Sequence, residues 1–454
     1  RDDLVTGVQT CALPILPIQS VIAILETMLI DPDEPLELQQ LEEAKVHSPV
    51  HLKRMFTYAF MWAFGGLLEA EDRRRFSEVF CADTLFDTPP VDRKTEDTCF
   101  EFMFDKGTGE WLHWAELVPE YTYPSDGKVN FSEVLVPNIA NTRMEYFCEQ
   151  LTLHSKPFLV IGESGTSKTV TVEKFINTRD LERFLPRVIS FSSVTTPELL
   201  QTNIESGIEK RMGTTYGPRA GKKSIVFIDD VHMPFINEWG DQVTNELHRM
   251  ILEANGFYSL ERIGEWMNLV DMCWISAMPH PGGGRNDIPT RLKRQLVMMN
   301  VPLPPNMEIE RIFTTIVQGH FTQERGFSRE VGDMAGRLIP MTRSIWSKTK
   351  VKMLPTPSRF HYNFNLRDLS RIVQGLTRLE HEVVTTAKAL LTVWKNECCR
   401  TIPDKFITDE DTAWFLDTLR DQVKSTLGKD IAADVMKRQW TANFLREAPE
   451  TDDP

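Results

Sequence analysis

The chain has 454 residues, 41% hydrophobic and 26% charged, which at roughly 150 residues per domain leaves room for about three units with buried cores. Its net charge of -14, from 65 acidic and 51 basic residues, argues against a general nucleic-acid or anionic-membrane binder, which needs positive surface to recruit phosphates. With 24 Gly and 27 Pro it is neither collagen-like nor wholly disordered, and no apolar run approaches the ~18 residues of a membrane span, the stretch from Val21 to Ile30 being broken by Glu26.

Arg1-Asp2-Asp3 is not the basic start of a secretory signal. The run from Val5 to Ile15 resembles a translated sequencing adapter, so residues 1–15 are expected to be an artefact outside the fold. From Ile18 to about Phe80 the pattern is helical, with Leu52, Met55, Phe56, Ala59, Phe60, Ala63, Phe64 and Leu67 at spacings of three and four. Gly65-Gly66 interrupts it, and Arg73-Arg74-Arg75 reads as a solvated helix face. At Phe100 the period changes. Phe100, Phe102 and Phe104 alternate, Asp105 to Gly109 turns, and Trp111, His113 and Trp114 follow, which predicts a β-hairpin. Tyr123 to Gly127 is a turn signal that marks a boundary near 125.

A helix is expected between Pro137 and Leu153, then a short buried strand at Phe158–Ile161, a Gly-rich turn, and a helix from Lys168 to about Ile176. Strand and helix alternate again at Ser224–Ile228 and Asp241–Ala254, followed by strands at Cys273–Ser276 and Val297–Val301. This alternation predicts a three-layer α/β domain with a parallel sheet. From Met307 the strands stop; Met307–Phe321, Leu366–Leu390 and Asp409–Leu427 read as helices of a smaller helical domain with an acidic tail. The seven cysteines include no Cys-x-x-Cys, and Cys398 and Cys399 are adjacent. They read as small buried hydrophobes in a reducing compartment rather than as disulfides or a zinc site.

The strongest chemical signal is Gly162-Glu163-Ser164-Gly165-Thr166-Ser167-Lys168-Thr169, placed between an apolar strand and a helix. Small residues let backbone N–H groups curl around phosphate oxygens, and the helix N-terminus adds partial positive charge. Lys168 supplies a point charge to the terminal phosphates and Thr169 a hydroxyl to Mg2+. The pattern has Gly where this chain has Ser167; if that position needs a positive φ, the substitution costs on the order of 1 kcal/mol. Ser224 to Ile228 is an apolar strand ending in Asp229-Asp230. Asp229 is placed to hold Mg2+, and Asp230 stands where a water-activating Glu is usual. It is one methylene shorter, and a displacement of ~1 Å can cost roughly 10²-fold in rate. The sequence therefore points to binding of ATP or ADP with Mg2+ more firmly than to hydrolysis.

Several stretches together resemble the third AAA+ module of an axonemal dynein heavy chain, most like the outer-arm type. These are Lys210 to Pro218, Ile228 to Pro234, Asn237 to Gln242, Asn255 to Leu260 and His280 to Pro289. The resemblance implies an AAA+ P-loop large α/β subdomain over 126–305 and a helical lid and tail over 306–454. Residues 16–125, mainly helical with a hairpin, would then be the helical end of the preceding module and its connector. It also implies roles by position. Arg367 resembles the lid arginine that touches nucleotide phosphates, the alternative being an ordinary surface arginine. Arg291 and Arg294 resemble arginine fingers that face the preceding module's nucleotide, the alternative being a basic helix end complementing its own dipole.

After the strand at Cys273–Ser276, Ala277-Met278-Pro279 offers no Asn to orient a water, a second reason to expect slow turnover. His280 reads as structural rather than as a catalytic base, His232 as a loop residue, and Trp111 and Trp114 as packing. The implied partners are adjacent AAA+ modules of the same chain, with dynein intermediate and light chains and microtubules engaged through the full-length protein. Neither nucleic acid nor membrane is expected. The implied setting is the cytoplasm, cytoskeleton and ciliary axoneme, and the parent activity ATP-driven, minus-end-directed movement, with this module a regulatory or structural nucleotide site. Two alternatives are an AAA+ loader or remodeller acting on nucleic acid or protein, and a module that holds no exchangeable nucleotide.

Overall fold

Phe158 to Ile161 is apolar at every position, a pattern that suits a strand covered on both faces. The computed structural model describes residues 15–30, 49–92, 97–124, 131, 134–282 and 285–437, and here the segment forms β3 (Phe158–Gly162) of a five-stranded sheet. The order is β11 (Val297–Val301), β3, β10 (Met272–Met278), β7 (Lys223–Asp229) and β4 (Phe184–Ser190), all neighbours parallel. Register sets Val160 opposite Ala277 and Met299, and Ser276 opposite Ile228. Phe158 and Val160 pack to one side with Ile275, Ala277 and Met299. Leu159 and Ile161 pack to the other with Val226, Ile228 and Met278. The sheet is thus the middle layer of three.

On the second face lie α7 (Pro197–Glu205), α8 (Val243–Ala254) and a small sheet. That sheet has the order β5 (Ile208–Lys210), β6 (Thr215–Pro218), β9 (Trp266–Leu269) and β8 (Gly256–Tyr258). Neither β4 nor these four strands was expected. Pro186 and Arg187 inside β4 are tolerable because β4 is an edge strand, and the other four have only three or four residues each.

The first face is covered by α5 (Ile139–Leu153), α6 (Lys168–Asn177) and the N-terminal segment. That segment comprises α1 (Ile15–Leu29), α2 (Pro49–Gly65), α3 (Ala70–Ala82), the hairpin β1 (Phe102–Phe104) with β2 (Trp111–His113), and a short α4 (Trp114–Leu117). The helices break at Gly66 as anticipated; a Cβ there would lie 2.3 Å from the Trp62 carbonyl oxygen. The suspected artefact at 1–15 falls, except for its last residue, outside the described residues. Residues 15–119 and 137–303 form one compact unit.

One expectation fails here. Arg74 and Arg75 are exposed, but Arg73 is buried. Its guanidinium donates to the carbonyls of Gly66 (2.9 Å) and Asn300 (2.7 Å), and lies over the rings of Trp62 and Phe100. Burial, then the charge of Arg143, lowers its pKa to about 9. Arg143 contacts the same indole at 5.3 Å while pairing with Glu101. A run of three arginines looks uniform in sequence, yet helical rotation turns one of the three inward.

Residues 120–136 and 304–437 form a second unit. It contains α10 (Asn306–His320), α11 (Arg329–Lys352), α12 (Leu366–Thr377), α13 (Ala387–Thr401), α14 (Asp409–Leu427) and α15 (Lys429–Val435). The expected helix Leu366–Leu390 is in fact two: α12 ends at Thr377, and Thr386 caps α13 by accepting from the Ala389 N–H. The 24-residue α11 was not foreseen, and it carries Pro340 in its interior, where proline removes one backbone bond and usually marks a helix end. Its middle is fixed by Trp394, whose indole N–H donates to Thr342 Oγ1 at 2.8 Å. The six described cysteines are free thiols.

His248 of α8 is wholly buried beside Trp274, and neither ring nitrogen has a hydrogen-bond partner among the described residues. Burial lowers its pKa to about 4. The folded state keeps this ring neutral, whereas the unfolded ring takes up a proton near pH ~6.5, so stability is full above that value and falls as pH drops towards 4. Urea unfolding at pH 7 and pH 4.5 should show the native chain losing about 2–3 kcal/mol more than a His248→Phe variant. Identical losses would contradict the assignment.

Candidate functional site

The strand β3 ends where its neighbour comes closest: a Cβ on Gly162 would lie 2.6 Å from the Val301 carbonyl oxygen. The chain then turns through two left-handed residues, Gly165 at φ 95° and Ser167 at φ 55°. Successive left- and right-handed residues aim backbone N–H groups into one concavity, and α6 starts at Lys168, bringing its N-terminus to this turn. Ser167 therefore occupies the positive-φ position whose cost the sequence raised. Its hydroxyl donates to Asn141 Oδ1 at 3.1 Å, tying the turn to α5. Asn141 sits in the first turn of that helix, where its backbone N–H donates to the capping Asn138 side chain.

The Lys168 side chain is buried, and its ammonium donates to the carbonyls of Gly162 (2.9 Å) and Glu163 (2.7 Å). Thr169 Oγ1 donates to Asp229 Oδ2 at 3.0 Å, so the sheet brings together the hydroxyl and carboxylate that the sequence paired. Burial raises the Asp229 pKa, and the hydrogen bond from Thr169 works against it. No cluster of three or more His, Cys, Asp or Glu suited to a metal occurs among the described residues. One hydroxyl and one carboxylate fit a hexacoordinate cation whose other ligands are water and phosphate oxygens.

Asp230 is exposed and left-handed at φ 52°, with its N–H bonded to Asp229 Oδ1 at 3.0 Å. Its Oδ1 lies 4.0 Å from Nδ1 of the buried His232. Burial lowers the His232 pKa; among nearby charges Asp230 and Asp229 raise it and Arg285 and Lys168 lower it. His232, expected to be a plain loop residue, therefore lies within the electrostatic reach of the phosphate-type loop. Arg285 is a second residue that the sequence reading passed over: Nη2 is 3.3 Å from Ser164 Oγ. In the sequence it stands within the His280 to Pro289 stretch, directly after a glycine run, with no role assigned to it.

The remaining residues lie elsewhere. Nε2 of His280 is 2.9 Å from Glu69 Oε1, a contact that is the main cause of the lowered Glu69 pKa, and Glu69 also accepts from Asn300 Nδ2 at 3.0 Å. Arg291, in the short α9 (Thr290–Lys293), and Arg294 just after it are exposed, while Lys293 between them pairs with Asp287. Arg367 is exposed in the first turn of α12, within a capping box made by Asn365 and Asp368.

A parallel sheet whose buried strand opens into this loop, two strands from one ending in Asp229, defines a P-loop protein of the AAA+ class, with a helical domain following it in sequence. Three family models match: "P-loop containing dynein motor region" over residues 123–304, "Dynein heavy chain AAA lid domain" over 8–116, and "AAA+ lid domain" over 338–438. The chain belongs to the axonemal dynein heavy chain family. It is 46% identical over 413 residues to dynein axonemal heavy chain 5 of Rattus norvegicus, covering 90% of this chain and 12% of that one. It is 44% identical over 411 residues to dynein axonemal heavy chain 8 of Mus musculus, covering 90% and 9%. It is 38% identical over 412 residues to the flagellar outer arm dynein gamma chain of Chlamydomonas reinhardtii, covering 87% and 9%. The chain thus spans 9–12% of the length of these relatives.

The turn at Ser167 yields a test. Glycine relieves about 1 kcal/mol of left-handed strain but forfeits a hydrogen bond worth about 1 kcal/mol, so Ser167→Gly should change stability by less than about 1 kcal/mol. Ser167→Ala keeps the strain and loses the bond, and should be about 1–2 kcal/mol less stable than the native chain. Denaturant melts of the three proteins give the order; an alanine variant as stable as the native chain would refute it.

Proposed function

We propose that this chain carries the third AAA+ module of an axonemal dynein heavy chain, and that the module binds ATP or ADP with Mg2+ as a regulatory or structural site. In this reading Gly162 to Thr169 cradle the phosphates, Lys168 neutralises the terminal ones, and Thr169 and Asp229 hold the cation. Residues 16–125 are the helical end of the preceding module and its connector, 126–305 the large subdomain and 306–454 the lid. Arg367 acts from the lid, and Arg291 and Arg294 face the neighbouring module. The parent protein moves on microtubules towards the minus end in cilia, with intermediate and light chains as its subunits.

The observation that carries the site is the Thr169–Asp229 hydrogen bond beside a buried Lys168: hydroxyl, carboxylate and ammonium converge on one left-handed turn. The regulatory reading rests on Asp230. Its carboxylate is short, exposed and 4.0 Å from His232, and the end of β10 supplies no amide to hold a water.

Titration with a fluorescent ATP analogue tests binding. Charge-assisted contacts of this type are worth roughly 1.5–3 kcal/mol, so Lys168→Ala should weaken binding about 10- to 150-fold. Equal affinity in both proteins would sink the site assignment.

Turnover is tested separately by single-turnover hydrolysis. The native chain should be very slow, because a finger from the following module is worth roughly 10³–10⁵ in rate in phosphoryl transfer. Asp230→Glu should add little in this chain. In a longer piece of heavy chain that includes the following module, with the main hydrolytic site silenced, it should speed turnover. Brisk hydrolysis by the native chain would overturn the regulatory reading.

A further inference from the structure

Arg285 belongs to the loop that leaves β10, and a tight turn fixes its backbone. The Gly282 and Arg285 main chains exchange both hydrogen bonds, at 3.3 and 3.2 Å, with Gly282 at φ 107°. From this anchor the half-buried side chain reaches the phosphate-type loop, with Nη2 3.3 Å from Ser164 Oγ. That is its one side-chain hydrogen bond among the described residues. A guanidinium presents five N–H donors in a rigid fork suited to phosphate or carboxylate oxygens, so a single neutral hydroxyl leaves most of it unused.

We propose that Arg285 is a second phosphate-binding cation of this site, supplied by the same chain and directed at the terminal phosphate of a nucleoside triphosphate. The inference rests on the nucleotide-binding reading above and deepens it. Position within the loop decides which phosphate is meant. Backbone N–H groups of such a loop and of the following helix serve the inner phosphates, and the lysine serves the outer ones. Here the Lys168 ammonium lies against the carbonyls of Gly162 and Glu163, and Arg285 arrives at the next residue, Ser164. The two cations therefore bracket the first half of the loop, the end away from α6.

The charge of Arg285 is felt beside this loop as well. Burial lowers the His232 pKa, the charges of Arg285 and Lys168 lower it further, and those of Asp230 and Asp229 raise it. The end of β10 gives the arginine its purpose. Ala277, Met278 and Pro279 offer no polar side chain to a terminal phosphate, and Arg285 supplies that contact from further along the same loop. The consequence is discrimination: a diphosphate ends short of Arg285 and a triphosphate meets it.

The experiment compares binding of fluorescent ATP and ADP analogues, each with Mg2+, to the native 454-residue chain and to Arg285→Ala and Arg285→Lys variants. The expected result is a loss of about tenfold or more in ATP affinity for Arg285→Ala, with ADP affinity changed less than about twofold and a smaller ATP loss for Arg285→Lys. Retained ADP binding also shows that the variants are folded. Equal losses for the two nucleotides would overturn the proposal, since the arginine would then serve the inner phosphates or the fold alone, and so would an unchanged ATP affinity. A native chain that binds neither nucleotide would instead remove the nucleotide-binding reading itself, and the proposal with it.

Discussion

The site depends on how β3 ends. This strand is buried on both faces and paired on both edges, so it can leave the sheet only at its C-terminal end. There the Val301 carbonyl closes off the space beside Gly162, where a Cβ would approach it to 2.6 Å. The backbone must turn within a few residues, and left-handed torsions at Gly165 and Ser167 accomplish this. The same register carries the neighbouring strands to the correct height. Ala277 of β10 lies opposite Val160, and β10 runs between β3 and β7. Asp229 at the end of β7 can then reach across to Thr169 on the helix that follows β3.

The N-terminal segment is held to this sheet by polar as well as apolar contacts. Asn300, one residue before Val301, donates its backbone N–H to Gly66 and its amide to Leu68 and Glu69, while its carbonyl accepts from buried Arg73. Arg73 and Asn300 are buried, where an unpaired charge or carbonyl is costly, while Glu69 is exposed at the edge of this network. His280 joins it through Glu69. The loop after β10 is therefore fixed at its start to the N-terminal helices and, at Arg285, to Ser164 of the phosphate-type loop. A displacement of that loop is felt at both ends.

Strong local signals were legible in the sequence. The apolar run of β3, the turn at Gly162 to Ser167 and the carboxylates ending β7 each announce themselves within eight residues, because strand burial, backbone freedom and metal chemistry restrict residue choice locally. Non-local features were hidden. Whether Arg73 points inward depends on helix phase and on Asn300, 227 residues away. The strands β5, β6, β8 and β9 are too short for a period to show, and Pro340 masks α11 by resembling a helix end. Arg285 escaped notice for a related reason: its neighbours in sequence are glycines, and its partner Ser164 is 121 residues distant.

The charge balance of the site gives a reason why a cation and a phosphate would bind there together, as proposed. Burial, reinforced by the Asp230 charge, pushes the Asp229 carboxyl up, whereas the Thr169 hydrogen bond and the Lys168 charge hold it down. The Lys168 ammonium and the Arg285 guanidinium both meet this turn, and Asp229 meets it through Thr169. A polyphosphate alone would add negative charge next to a carboxylate already disfavoured by burial. A divalent cation alone would sit close to two positive side chains with only one carboxylate and one hydroxyl to ligate it. In the proposed reading the two would arrive as a complex, the cation offsetting the carboxylates while the phosphates engage the lysine, the arginine and the helix N-terminus, so that each would remove the electrostatic cost that the other imposes.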